Sequence, residues 1–385
     1  MEPVVGKTSV KVRVCGRPLL GGLESIHVPA DSWEQLTDCP ICLQGDCVRD
    51  VAAVADGAPA GVVAACTRCE HVFFRRRPTP AWFKRFYARD WDRGHRDDRA
   101  GIGTKLPSSS RVLEFCRSYL RDRARVFEIG AGLGTSLRAF HEAGYPVSSI
   151  EPSEHRARFV SAVMGLECHA RPIEQVSGSN EYDLVYVNHV LEHLVDPVST
   201  ISTAATLLRP DGYLYIAVPN LWNECSAQTV HYVPHLHAFT QGAVERVLRA
   251  RGFTIVRALV QHDIQILARN AASQSDTVTA GAADFWDRLS SHVVHGFGDR
   301  VSRHAIVWYP AGEHEYRQFI TSTSRLMALR TGMWMRSWMP PAMSRRVLPP
   351  LLTRRLRALE IEVTGPPALP VHVEHGVSGD GVWVK

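Results

Sequence analysis

The stretch Val126-Phe127-Glu128-Ile129-Gly130-Ala131-Gly132-Leu133-Gly134 decides how the chain is read. A β-favouring run carries an acid one position before its last residue. Three alternate glycines follow, and the pattern then predicts a helix over Leu133–Glu142. Glycines so placed let the backbone turn sharply from strand to helix and let a ligand approach it closely. The next run, Val147–Ile150, ends against Glu151, which lies 21 residues after Gly130. A carboxylate there can accept both hydroxyls of a ribose. The series of strand, turn, helix, strand and acid predicts an adenosine-type cofactor. A glycine-rich turn in an ordinary α/β protein would leave Glu151 unexplained.

Outward from this stretch, short β-rich runs alternate with amphipathic ones. Strands are predicted at Val126–Ile129, Val147–Ile150, Leu184–Val187 and Tyr213–Val218, with a last pair at about Phe253–Val260 and Ile264–Ala268. A further helix is predicted over Ser153–Met164. This alternation is the pattern of a doubly wound α/β domain. It assigns residues 101–270 to one such domain, entered through the linker-like GIGTKLPSSS. Residues 1–30 form an extension with one alternating run, Val10, Val12 and Val14. Residues 31–100 form a cysteine-bearing unit. Residues 271–385 read as a mostly helical segment interrupted by Pro340-Pro341 and Pro349-Pro350.

The spacing bears on which adenosine cofactor fits. A dinucleotide fingerprint is G-x-G-x-x-G, with a pyrophosphate on the helix N-terminus. Here the spacing is G-x-G-x-G, with Glu128 beside the turn. A carboxylate facing a pyrophosphate would repel it. The cationic sulfonium and amino group of S-adenosylmethionine suit this turn better, which disfavours an NAD-dependent oxidoreductase.

On these residues the sequence resembles the class I S-adenosylmethionine-dependent methyltransferases, over about residues 111–270. Glu128, Gly130, Gly132 and Gly134 match that family's first motif, and Glu151 its ribose-binding acid. Ile173 and Glu174 lie where the family places the adenine pocket. Tyr182 to Asn188 match its fourth-strand motif, and Leu208 to Leu214 look like its turn into the fifth strand. The resemblance implies a doubly wound Rossmann-like sheet, with Glu128, Gly130, Gly132, Gly134, Glu151, Ile173, Glu174 and Asn188 holding the cofactor.

A histidine cluster follows the fourth strand. It comprises Asn188-His189-Val190-Leu191-Glu192-His193 and, later, His231, His235 and His237. Imidazole titrates near neutrality and suits removal of a proton from a hydroxyl as a methyl group arrives. His189, His193 and His235 are the candidate catalytic residues, with His189 the first choice of base. The alternative is that these histidines position loops. A third reading places His189, Glu192 and His193 at a helix start, where, with His235 or His237, they bind a divalent ion. That arrangement resembles the metal-dependent RNA 2′-O-methyltransferases, except that His189 stands where those have Glu.

Cys39-Pro-Ile-Cys42 and Cys66-Thr-Arg-Cys69 are two C-x2-C pairs separated by 23 residues. Four thiolates on two tight turns make a closed tetrahedral site for structural zinc, giving a zinc-ribbon-like N-terminal domain. Cys47 is a substitute ligand by position. The run Cys66 to Tyr87 resembles the zinc-binding segment that precedes the methyltransferase domain in bacterial sugar and natural-product methyltransferases. In those proteins the segment packs beside the substrate cleft, which makes Phe83, Tyr87 and Trp91 candidate lining residues.

The 385 residues are 45% hydrophobic and 22% charged, with a net charge of +5. That composition excludes a disordered chain, and the charge is too mild to imply nucleic acid. No run approaches the ~18 apolar residues of a membrane span. The N-terminus lacks a signal-like apolar region, and the cysteines lack the setting of a disulfide framework. A cytoplasmic protein is expected. Nine Arg and no acid occur from Arg317 to Arg357, interleaved with Trp and Met. Such a segment suits a helical cap, contact with a phosphate-bearing substrate, or peripheral contact with an anionic membrane. The expected activity is methyl transfer to a hydroxyl of a sugar or natural-product small molecule. Nitrogen or carbon acceptors and a non-catalytic cofactor-fold protein stand as alternatives.

Overall fold

The computed structural model describes residues 29–55, 59–90, 109–222, 234–271, 284–286 and 288–289. It also describes the strands Val10–Arg13, Ser25–Val28, Ile306–Pro310, Glu315–Ile320, Leu359–Thr364, His375–Ser378 and Gly381–Val384.

A seven-stranded sheet forms the centre of the α/β unit. Across it the strands run Phe253–Val260, Asp263–Asn270, Leu208–Pro219, Tyr182–Asn188, Val126–Ile129, Val147–Ile150 and Cys168–His169. The last five are mutually parallel, and the first two join antiparallel. The chain steps outward from Val126–Ile129, then crosses back to place Tyr182–Asn188 on its other side. Strand order therefore reverses between these two, and open α/β sheets hold their ligands at the carboxyl ends of such a switch. The glycine turn and the histidine cluster both leave the sheet there.

Alternation along the strands builds a core on each face. Val126, Leu184, Tyr186 and Tyr215 pack with Val112, Phe115 and Phe140 on one side. Phe127, Ile129, Val185 and Val187 pack with Ile201, Leu207, Val244 and Leu248 on the other. Each such side chain contributes roughly 1.5–3 kcal/mol by leaving water.

The expected strands are present, with longer bounds where the sequence shows a turn. Leu208–Pro219 is one strand whose Leu208-to-Gly212 portion is a bulge, with Asp211 left-handed at φ 62°. The first helix begins at Thr135 rather than Leu133, because Gly134 at φ 72° forms its N-cap and cannot continue a right-handed helix. The second helix is Glu154–Ala162, capped by Ser153, whose hydroxyl accepts from the Arg156 amide.

A second, antiparallel sheet carries the cysteines. His71–Pro78 pairs with Pro59–Cys66, which pairs with Val48–Ala55. Val48–Ala55 pairs in turn with Ile306–Pro310, followed by Glu315–Ile320 and Leu359–Thr364. At the other edge His237–Ala238, from the α/β portion of the chain, pairs with Val72–Phe73. Much of the segment after 270, expected to be mostly helical, lies outside the described residues; the described elements beyond residue 300 are strands, in runs where Ile306-Val307-Trp308-Tyr309 is β-branched and aromatic and Leu359-Glu-Ile-Glu-Val alternates with period two. The Arg-rich stretch 321–358, Trp91 and His231 lie outside the described residues. Among the described residues, no helix is long and apolar enough to cross a membrane.

Candidate functional site

The glycine turn is fixed from below by backbone. The Gly130 and Ala131 amides donate to the Ile150 carbonyl at 2.9 and 3.0 Å. Gly130 stands at φ 77°, and a Cβ on it would lie 2.5 Å from Val190 Cγ2. Only glycine fits between this strand end and the histidine-bearing turn. Gly132, at φ 57°, has nothing within 4 Å of a Cβ position among the described residues. That open side gives a ligand access to the backbone.

Glu151 is buried, and its carboxylate bridges two amides. Gly132 N–H donates to Oε2 at 2.8 Å, and Ser153 N–H donates to Oε1 at 3.0 Å. The acid thus locks the turn it faces. Glu128 is 3% exposed, on the same face as Tyr186. Burial first, and then the Glu128 charge, hold the Tyr186 phenol well above its ordinary pKa. Ile173 is buried in the core that contains Ile129 and Ile150, whereas Glu174 beside it is exposed. Asn188 ends the fourth strand at the switch point.

Glu192 and His193 stand not on a helix start, as expected, but on one 3-10 turn, Leu191–His193. His189 precedes it in the left-handed region at φ 54°. Its Nδ1 lies 3.5 Å from Glu192 Oε1 and its Nε2 lies 3.4 Å from Asp263 Oδ2. Burial alone would lower its pKa, but hydrogen bonds and the charges of Asp263 and Glu192 outweigh it and raise the value to about 10. Held between Glu192 and Asp263, the ring is favoured as a cation, and this weighs against the expected role of His189 as the base.

His193 is arranged in the opposite sense. Its Nδ1 lies 2.9 Å from the Pro234 carbonyl and 3.0 Å from Tyr87 Oη, while the Tyr87 hydroxyl donates to the same carbonyl at 3.3 Å. A carbonyl only accepts, so Nδ1 carries the hydrogen and Nε2 keeps a lone pair. Burial lowers the pKa of His193, so the ring is neutral. His235 packs edge-on against it at 4.5 Å, and burial holds its pKa down to about 3. Glu192 is 1% exposed. Burial would raise its pKa, but the hydrogen bond from His189 and the positive charge of that ring bring it down to about 2. Its Oε1 lies 3.9 Å from His193 Nε2. Glu192, His193 and His235 each offer one ligand atom, all within 4.8 Å of one another. His237 points elsewhere and bonds His71.

Two contributors were not read from the sequence. Asp263 opens an antiparallel strand, so its register with Pro219 brings it to the edge where the parallel strands end. His71 is buried beside the cysteines and carries no motif of its own.

Cys39, Cys42, Cys66 and Cys69 converge, with their four sulfurs within 4.8 Å of one another. Cys39 and Cys69 sulfurs lie 3.5 Å apart, and Cys42 and Cys66 3.6 Å. A zinc tetrahedron with bonds of about 2.3 Å has sulfur–sulfur edges of about 3.8 Å, so the donor set fits that ion. Cys47 lies 3.3 Å from Cys66 but stands outside the group of four.

Residues 87–258 match the sequence profile of the Methyltransferase domain family. A ubiquinone biosynthesis O-methyltransferase of Bordetella avium is 30% identical over 104 residues, covering 25% of this chain and 43% of that protein. Its counterpart in Caulobacter vibrioides is 31% identical over 102 residues, covering 25% and 40%. The chain thus spans less than half the length of these curated relatives. Among solved structures, the 1,6-didemethyltoxoflavin-N1-methyltransferase of Burkholderia thailandensis has a TM-score of 0.38 and 23% identity, covering 49% of this chain and 85% of that one. The matched residues 87–258 contain the glycine turn, Glu151 and the Glu192–His193 turn.

Proposed function

We propose that the chain transfers a methyl group from S-adenosylmethionine to a hydroxyl of a small molecule of the sugar or natural-product class, with His193 as the base. The observation that carries this reading is the meeting of two features at the switch point: a glycine turn locked by Glu151, and a neutral imidazole whose Nε2 keeps its lone pair. The curated relatives named as O-methyltransferases support an oxygen acceptor.

Glu151, Glu128, the three glycines and Asn188 would hold the cofactor, which supplies a methyl group on a cationic sulfonium. His193 Nε2 would take the proton of the acceptor hydroxyl as oxygen attacks. Glu192 would stabilise the imidazolium so formed, since its buried carboxylate needs no reorganisation to face the new charge. The four cysteines would hold one structural zinc and have no part in proton transfer.

The convergence of Glu192, His193 and His235 favours a second reading, a divalent ion on those three groups. Against it, the His189 cation already neutralises Glu192. Calorimetric titration with S-adenosylhomocysteine and with NAD tests the cofactor. Incubation with labelled S-adenosylmethionine and a panel of hydroxylated small molecules tests the transfer. Binding of NAD instead of S-adenosylhomocysteine would defeat the reading. Activity lost to chelation and restored by magnesium, with zinc retained, would favour the ion.

A further inference from the structure

Two buried imidazoles stand in series between the cysteine-bearing sheet and the Glu192–His193 turn. His71 opens the strand His71–Pro78 and is paired across the ladder with Cys66. Its Nε2 lies 2.9 Å from His237 Nδ1, and His237 Nε2 lies 2.9 Å from the Leu194 carbonyl. Leu194 is the residue that ends the turn Leu191–His193. The direction of both bonds follows from that carbonyl. It has no hydrogen to give, so His237 carries its hydrogen on Nε2. Its Nδ1 is then an acceptor, and His71 donates from Nε2. Desolvation holds the His237 pKa well below its ordinary value, consistent with this pattern.

The strand that begins at His71 grips the same segment again. Arg77, ion-paired to Glu34 at 2.7 Å, donates from Nη1 to the Val195 carbonyl at 3.3 Å. Two consecutive carbonyls after the turn are therefore each tied to the cysteine-bearing sheet. The Phe74 amide donates to the Leu236 carbonyl at 2.9 Å, which fixes His237 on that sheet from the other side. Phe73 and Phe239 flank His71. An apolar pair would pack in such a place, but it would leave the Leu194 carbonyl without a donor.

We propose that His71 and His237 are positioning residues, which hold the Glu192–His193 turn in register with the cysteine-bearing sheet and so make that sheet part of the apparatus that orients His193. The inference rests on the reading of His193 as the base.

The test is side-chain nitrogen–proton NMR on the full chain labelled at histidine, with S-adenosylhomocysteine calorimetry beside it. The native chain should show protected Nε2–H signals for His71 and His237 and a protected Nδ1–H signal for His193. His237→Gln keeps a donor towards Leu194 and should leave the His193 signal in place. His237→Leu removes the donor and should move that signal and speed its exchange by roughly tenfold or more. S-adenosylhomocysteine affinity should stay within about threefold in both variants. An unmoved His193 signal in a folded His237→Leu chain overturns the proposal. Should that variant not fold, the native chain still decides: if its spectrum places the His237 hydrogen on Nδ1 rather than Nε2, the series of bonds is wrong. Failure of the native chain to bind S-adenosylhomocysteine would instead defeat the methyl-transfer reading and leave the His71–His237 result standing.

Discussion

Glu151 accepts the amide hydrogen of Gly132 at 2.8 Å, so the acid ending one strand is bonded to the glycine turn that ends its neighbour. The same carboxylate accepts from Ser153 N–H. If, as proposed, this carboxylate also binds the ribose, it has two separable effects. Glu151→Ala should weaken S-adenosylhomocysteine binding by about tenfold to a hundredfold, the value of one charge-assisted bond of about 1.5–3 kcal/mol. It should also lower the melting temperature, because two buried amides lose their acceptor. Unaltered affinity in calorimetry would place the ribose elsewhere.

The ion pair of His189 with Glu192 and Asp263 gives stability a definite pH dependence. The folded pKa of His189 is raised to about 10. Its contribution is fully present below the ordinary imidazole value near 6.5 and is lost as pH rises through about 10. Glu192 is depressed to about 2, so its contribution is present above the ordinary carboxylate value and is lost as pH falls through about 2. Thermal melts should therefore show native stability declining between about pH 7 and pH 10, and His189→Gln should flatten that decline. Parallel curves for the two proteins would mean that His189 is not held as a cation.

The parallel sheet and the glycine turn were legible because each depends on local pattern. Val126–Ile129 and Val147–Ile150 are buried runs with turn signals at both ends, and their observed bounds match the reading. Glu151 was legible because its distance from Gly130 is a constraint of the strand–helix–strand unit. The protonation states were not legible. His189 and His193 are four positions apart and similar on paper, yet Asp263 charges one and the Pro234 carbonyl fixes the tautomer of the other. Both partners arrive from distant sequence. The strands after residue 300 were missed because an Arg-rich, Met-rich interval dominated the reading of that segment, while the short β-branched runs flanking it carried the structure.

Zinc should account for the convergence of Cys39, Cys42, Cys66 and Cys69. The sulfurs of Cys39 and Cys69 lie 3.5 Å apart and those of Cys42 and Cys66 3.6 Å, a crowding of thiol groups that a cation would relieve. Purified protein should contain about one equivalent of zinc per chain, and Cys66→Ser should lose it together with several degrees of melting temperature. Cys47→Ser should keep the metal, since Cys47 is outside the group of four. Metal-free protein that melts like the native chain would refute this assignment.

The choice between His193 and His189 as base has a kinetic signature. His193 is neutral, with Nδ1–H committed to the Pro234 carbonyl, so Nε2 is the atom that can take a proton. Replacing it with Ala should lower turnover by about a hundredfold or more with the hydroxylated acceptor that the labelled-methyl panel identifies. S-adenosylhomocysteine affinity should change only a few-fold, because the ring is not assigned to the cofactor. His189→Gln should cost less, acting only through the charge it presents to Glu192. The pH profile adds an independent check. Because burial lowers the pKa of His193, the ring stays unprotonated into mildly acidic solution. The acid limb of kcat should accordingly fall below the ordinary imidazole value of about 6.5. A limb at or above that value, or a greater loss in His189→Gln than in His193→Ala, would transfer the role away from His193. If neither substitution lowers turnover, no imidazole takes the proton, and the acceptor is a group that is nucleophilic without a base.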